Sequence, residues 1–128
     1  MKKGFKLGKN QEKWLRALES GKFRRAVGVL ANPTKTGKMR YCCLGVACEV
    51  SGLGKWEDGI YLGNDVVLPV GVKDWLGAKN REGVIPKDDQ SGLGEHISLT
   101  FMNDNGVGFK KIASTIRKFP GVFFNESK

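Results

Sequence analysis

Long apolar runs are missing from this 128-residue chain: none approaches the ~18 residues that a membrane span requires. The basic lead Met1–Lys9 holds four lysines and no apolar stretch, so it does not read as a secretory signal. Histidine is nearly absent. The single His96 leaves no room for a paired imidazole site, and alone it is more simply a bystander than a base. Three cysteines in a chain without a secretory signal read as reduced cytoplasmic thiols. Cys42, Cys43 and Cys48 contain no C-x₂-C pair, so with His96 they make a poor zinc set and a good set of small buried hydrophobes. Acid is scarce at the start. Up to Arg40 only Glu12 and Glu19 face twelve cations.

What is present is 22 Lys and Arg against 13 Asp and Glu, a net +9, with 18 glycines. Resolved along the chain, the charge is +10 over residues 1–40, −5 over 41–106 and +4 over 107–128. The ends are basic and the middle is acidic. Such a distribution predicts a cationic side that attracts anions, or a set of lysines that only keeps the chain soluble. The length predicts one domain with a core of its own. Residues 1–9 read as a basic flexible lead-in to a single domain over 10–128.

Helical spacing predicts a first helix over Gln11–Ser20, capped by Asn10 and closed by Gly21, with Trp14, Ala17 and Leu18 at i, i+3 and i+4 and Leu15 beside them. Phe23–Leu30 reads as a strand, Asn32–Lys38 as a loop and Met39–Cys42 as a returning strand. Cys43–Ser51 is almost continuously apolar. Periodicity does not separate helix from strand there, but Gly52 favours a buried helix, with Gly45 serving close backbone packing. Gly63-Asn64 predicts a hairpin joining 59–62 to 65–68. A short helix follows Pro69 and ends at Leu76. Residues 79–94 read as a long surface loop with a brief strand at Val84-Ile85. Alternation of Ile97, Leu99 and Phe101 predicts a strand over 95–102, with one helical turn after Ser98 as the alternative. Asn103–Gly106 reads as a turn. Phe109, Ile112, Ala113 and Ile116 form a clear helical stripe, stopped at Pro120-Gly121, and 122–124 reads as a last strand or docked tail. The fold class is therefore α+β: a single small domain with three or four short helices packed on a small, mostly antiparallel sheet.

Catalytic constellations are not found. No nucleophile elbow, zinc-protease motif or paired catalytic carboxylates appear, and no cofactor or metal is expected. The stretch Asn32-Pro-Thr-Lys-Thr-Gly-Lys-Met39 mimics a phosphate-binding P-loop but fails twice. Its first glycine is replaced by Asn32, and Met39 stands where a hydroxyl must hold magnesium. Gly52-Leu-Gly54 and Gly92-Leu-Gly94 lack the third glycine of a dinucleotide fingerprint and read as turns. Phe109–Lys118 resembles the first helix of a helix-turn-helix, but too little chain follows for a recognition helix.

Anion-binding equipment is present. Phe23-Arg24-Arg25, Arg40-Tyr41 and Lys55-Trp56 place guanidinium or ammonium groups beside rings. Tyr41 and Trp56 are the better candidates for exposed rings, whereas Trp14, Trp75 and Phe109 belong to helical core faces. The helix start near Gly108 either offers amides to an anion or is simple turn chemistry.

Trp14-Leu-Arg-Ala-Leu-Glu-Ser-Gly21, the Tyr41-Cys-Cys-Leu-Gly-Val46 block, Leu68-Pro69 with Trp75-Leu-Gly77, and Asn103-Asp104 leading to Phe109-x-x-Ile-Ala113 together resemble small uncharacterised bacteriophage and prophage proteins. That resemblance covers about residues 14–116 and implies a phage origin and the cytoplasm of a bacterial host. It brings no known activity and no functional residue. It does suggest a non-enzymatic binding protein, a sponge that sequesters a nucleotide-derived signal of antiphage defence. On this reading Arg24, Arg25, Lys38 and Arg40 hold phosphates, Tyr41 or Trp56 stacks on a base, and Asn103 and Asp104 bond its polar edges. The partner is then a phosphorylated nucleotide-type small molecule, the protein a homo-oligomer, and no membrane is involved. The alternatives are a nucleic-acid-binding accessory protein and a protein inhibitor of a host enzyme.

Overall fold

The structure is a computed structural model that describes residues 5–84 and 98–126. Its helices are α1 (Lys9–Glu19), α2 (Cys43–Ser51), α3 (Val70–Leu76), α4 (Leu99–Asp104), α5 (Phe109–Lys118) and α6 (Pro120–Phe123). Its strands are β1 (Arg24–Arg25), β2 (Ala31–Pro33), β3 (Met39–Tyr41), β4 (Trp56–Glu57) and β5 (Ile60–Tyr61). The α+β class is as expected. The helices number six among the described residues, against the three or four that the spacing predicts; α4 and α6 are the short additions.

Helix α2 lies at the centre, against α1, α3, α4 and β3. Cys43 through Cys48 are all buried, which explains the uninterrupted apolar run: a helix covered on every side needs no polar face. Cys42 caps it, its sulfur accepting from the Gly45 amide at 3.3 Å, and Gly52 ends it in the left-handed conformation. Gly45 is where the helix meets the chain before β2. A Cβ there would overlap the Leu30 carbonyl oxygen, so the close packing expected of this glycine is present.

Helix α1 begins at Lys9, not after Asn10. Gly8 is the cap position, and its amide donates to the Gln11 side-chain oxygen at 2.7 Å. The side chains of Asn10 and Gln11 tie α1 to the end of α3: Asn10 Nδ2 donates to Trp75 O at 2.9 Å and Gln11 Nε2 to Leu76 O at 3.0 Å. Phe5 and Leu7, from the lead expected to be flexible, pack against the core.

The strand expected over 23–30 shortens to Arg24–Arg25. After it the chain is drawn towards α4: the Ala26 carbonyl accepts from Asn103 and the Gly28 amide donates to Asp104. Ala31–Pro33, of which 32 and 33 are expected in a loop, form edge strand β2, where the missing amide of Pro33 costs no ladder bond. The order is β1-β3-β2, with β1 parallel and β2 antiparallel to β3. In the second sheet the hairpin turn lies at Asp58-Gly59, both left-handed, with Trp56 opposite Tyr61. Gly63 does make a tight turn, but its central residues are Leu62 and Gly63, and no second strand follows.

Residues 99–104 are helical where alternation predicted a strand. Ser98 caps the turn, accepting from Phe101 N at 2.9 Å, and Leu99, Met102 and Asn103 bury at helical spacing. The polar Asn103 hid that period. Val84 bridges Ser98; Ile85, the remainder of the 85–94 loop and His96 lie outside the described residues. Pro120–Phe123 form α6, where Pro120-Gly121 is expected as a stop and 122–124 as a strand or docked tail. Phe124 then bridges Ala78 and meets Trp14 edge-on at 6.1 Å.

Gly45→Ala is expected to destabilise the fold by about 2 kcal/mol or more, because backbone faces the new methyl and cannot swing aside. A fall in urea midpoint at unchanged slope measures it.

Candidate functional site

Strand register decides which cations meet. Arg24 and Asn32 flank Arg40 across the β1-β3-β2 sheet, while Arg25 and Ala31 flank Tyr41. Neighbours in a strand point to opposite faces. Arg24, Arg40 and Asn32 therefore share an outer face, and Arg25 and Tyr41 the inner face that Trp56 covers. Lys38, two residues before Arg40, is exposed at the mouth of the turn on the outer side. The four cations expected to converge are thus divided by the sheet, because consecutive Arg24 and Arg25 cannot face the same way.

The stretch 32–39 is a hairpin turn. Thr34 N donates to Lys38 O at 2.7 Å and Gly37 N to Thr34 O at 3.0 Å, so these amides are used within the loop. A strand, not a helix, follows it.

Arg25 stands at a cleft of about 330 Å³ lined by Leu18, Phe23, Phe109 and Lys110 as well as Gly21 and Gly108. Its guanidinium donates to Val107 O at 3.4 Å, across the approach to α5. Gly108 at the cap of α5 provides no side-chain acceptor for the first amides of that helix. The cleft therefore joins an apolar floor, two rings and two cations at an uncapped helix start. The sequence signalled Arg25 and the helix start separately. Helical spacing places Phe109 on a core face, and nothing in the sequence singles out Lys110 among the lysines. A second groove of about 310 Å³, where α1 meets α3, carries both signs: Lys6, Lys9, Asp74 and Glu126 all line it.

Tyr41 and Trp56 are not free stacking platforms. They form the middle of an aromatic row: Phe23 to Tyr41 5.6 Å, Tyr41 to Trp56 5.6 Å, Trp56 to Tyr61 4.7 Å. Trp56 Nε1 donates to Glu49 at 2.9 Å, and burial, then the charge of Glu49, raises the Tyr41 pKa. Asn103 is 0 % exposed. Its Oδ1 accepts from Cys43 N at 3.0 Å, and its Nδ2 donates to Ala26 O at 2.8 Å and to Asp104 at 3.0 Å. Asp104 also accepts from Gly28 N at 3.0 Å. The pair expected to bond a ligand instead ties α4 to α2 and to the end of β1.

A family model for a domain of unknown function, DUF8296, matches residues 7–119. The chain belongs to the DUF8296 family. No curated protein and no solved structure matches it.

The DUF8296 match spans both the outer sheet face and the cleft. Within it, Arg117 holds both acids of the basic first segment. It bonds Glu19 twice, at 2.7 and 3.0 Å, and Glu12 at 2.9 Å. Those bonds lower the Glu19 pKa, chiefly through the Arg117 hydrogen bond, so their contribution is present above the ordinary carboxylate range and is lost as pH falls through the lowered value. Among the described residues Arg24, Arg25, Lys35, Lys38 and Arg40 have no acid in ion-pair range. No helix among them is long and apolar enough to cross a membrane.

The thiols of this DUF8296 domain are buried and free. Burial pushes Cys42 up to about 11 and Cys48 to about 12, and carries Cys43 well above its ordinary value. Among the described residues no three His, Cys, Asp or Glu are grouped to hold a metal ion. His96 falls outside them.

At pH 8 the thiols are expected to stay protonated and to react with a disulfide reagent only as fast as the fold opens. Labelling of the native protein at the rate of a free peptide thiol would contradict this. Asn103→Ala leaves Cys43 N and Ala26 O unpaired in the core and is expected to cost about 2–4 kcal/mol in chemical denaturation.

Proposed function

We propose that this DUF8296 protein binds a phosphorylated nucleotide-type ligand in the cleft beside Arg25 and releases it unchanged. The observation that carries the reading is the convergence of Arg25, Lys110, Phe23 and Phe109 on one concavity of about 330 Å³, in the lower range of small-ligand sites. Guanidinium and ammonium groups suit phosphate, and the two rings offer a base an apolar wall. The first amides of α5 add partial positive charge on the same side. Binding rather than turnover is supported by the raised thiol pKa values and by the hairpin turn that occupies 34–37.

The resemblance to phage proteins supplies the ligand class: a nucleotide-derived signal of antiphage defence, sequestered in the bacterial cytoplasm. The expectation of a homo-oligomer belongs to the same reading, because a second copy laid over the open side of the cleft would complete its wall. Arg24, Lys38 and Arg40 lie outside this site, on the other face of the sheet.

Calorimetry with cyclic mononucleotides, cyclic dinucleotides and cyclic ADP-ribose isomers tests it. One of them is expected to bind and to be recovered intact. Arg25→Gln with Lys110→Gln is expected to weaken binding by about a hundredfold, from two lost charge-assisted contacts. No uptake of any of these ligands by folded protein sinks the reading, and recovery of a cleaved product sinks the claim of simple binding.

A further inference from the structure

The corner between α4 and α5 holds a reactive pair. Asn105 caps the end of α4, and Gly106 follows in the left-handed conformation with φ 89°. The chain has seven asparagines, followed in turn by Gln, Pro, Asp, Arg, Asp, Gly and Glu. Only Asn105 stands before a glycine. The side-chain carbonyl carbon of an asparagine is open to attack by the backbone nitrogen of the next residue, because the two close an unstrained imide ring. A side chain on that next residue crowds the approach, and glycine has none.

Local structure favours the attack at this position. Both residues are exposed. A Cβ placed on Gly106 would meet nothing within 4 Å among the described residues, so the ring has room. The attacking group is loosely held: Gly106 N donates to Asn103 O at 3.4 Å, whereas the amides of Asn105 and Val107 make bonds of 3.0 Å. Asn105 Nδ2 donates to Phe101 O at 2.9 Å, an exposed bond at the end of a six-residue helix, where opening costs little. Asn103 is the contrast. It precedes Asp104, it is fully buried, and both ends of its amide are bonded in the core.

We propose that Asn105 is a site of spontaneous deamidation and that its product loosens the corner between α4 and α5. Gly106 N bonds to the Asn105 side-chain carbonyl carbon. The bond from that carbon to Nδ2 breaks, and Nδ2 leaves as ammonia with the proton given up by Gly106 N. Water then opens the imide, its hydroxyl going to a ring carbonyl carbon and its proton to Gly106 N. Opening at the side-chain carbon leaves aspartate; opening at the backbone carbon leaves isoaspartate, with a further carbon in the main chain. Either product loses the donor to Phe101 O and sets a carboxylate beside Asp104 at the carbonyl end of α4, where negative charge is unfavourable. This chemistry does not depend on the cleft reading.

Peptide mapping by mass spectrometry tests it, on protein held in mildly alkaline buffer either folded or unfolded in urea. In the folded protein the peptide with Asn105 is expected to exchange NH for O, as aspartyl and isoaspartyl forms, ahead of every other asparagine. The folded protein is expected to react about tenfold more slowly than the unfolded chain, since only a helix end must open. Asn105→Gln keeps an amide and is expected to stop the conversion over the same period, because the longer side chain closes a ring far more slowly. Asn105→Asp is expected to lower the melting temperature by about 3 °C. Conversion at several asparagines at equal rates in the folded protein, or none at Asn105, overturns the proposal. So does a folded rate more than about a thousandfold below the unfolded one, which would mean that only global unfolding exposes the pair. An unchanged melting temperature for Asn105→Asp overturns the loosened corner.

Discussion

The side-chain amide of Asn103 is the contact on which most of this domain depends. It closes three bonds in the core at once, to the first amide of α2, to the carbonyl that ends β1, and to Asp104 beside it. Trp14 of α1 adds a fourth connection by donating to the Cys43 carbonyl at 2.9 Å. The first residue of the central helix is therefore gripped on its amide by α4 and on its carbonyl by α1. Buried amide bonds of this kind are worth more in their absence than in their presence, since the groups left behind cannot turn to water. Once α2 is set there, Gly45 lies against the Leu30 backbone and positions β2, while Tyr41, ending the strand just before α2, is held against Trp56.

That arrangement explains how the charge is distributed. The basic first segment contributes α1 and the outer strand β1, and the C-terminal segment returns along α1 as α5. Arg117 of α5 draws Glu12 and Glu19 together into one bidentate cluster on the shared flank of the two helices. The acids that might have neutralised the sheet are thereby held on a different part of the surface. The strand alternation then separates neighbouring arginines, sending Arg24 outward and Arg25 towards the cleft. One run of basic sequence becomes two distinct cationic places, one on the outer side of the sheet and one at the cleft.

Sequence patterns were most readable where one element answers to one period. The stripe of α5, the glycine-closed ends of α1, α2 and α3, and the apolar burial of Cys42, Cys43 and Cys48 follow from local spacing and from hydrophobicity. Reading failed where a polar side chain serves as core. Asn103 looked like a turn residue or a ligand contact because its type is normally exposed. Only the burial of Leu99, Met102 and Asn103 on one side shows the helix. The hairpin was misplaced for a related reason. Asp58-Gly59 and Leu62-Gly63 both carry left-handed pairs, and the cross-strand stacking of Trp56 on Tyr61 selects the first as the strand-joining turn.

By itself the sequence determined the α+β class, the burial of the apolar run over 43–48 with its thiols, and the uneven distribution of charge. These rest on composition and on contacts between near neighbours. Which cations share a surface was decided by tertiary structure alone. Register between strands distant in sequence sets that outcome, and a two-residue strand such as Arg24–Arg25 carries no pattern long enough to announce its partner. The same holds for the meeting of Arg25 with Phe109, residues brought close only by the folding of the chain around Asn103.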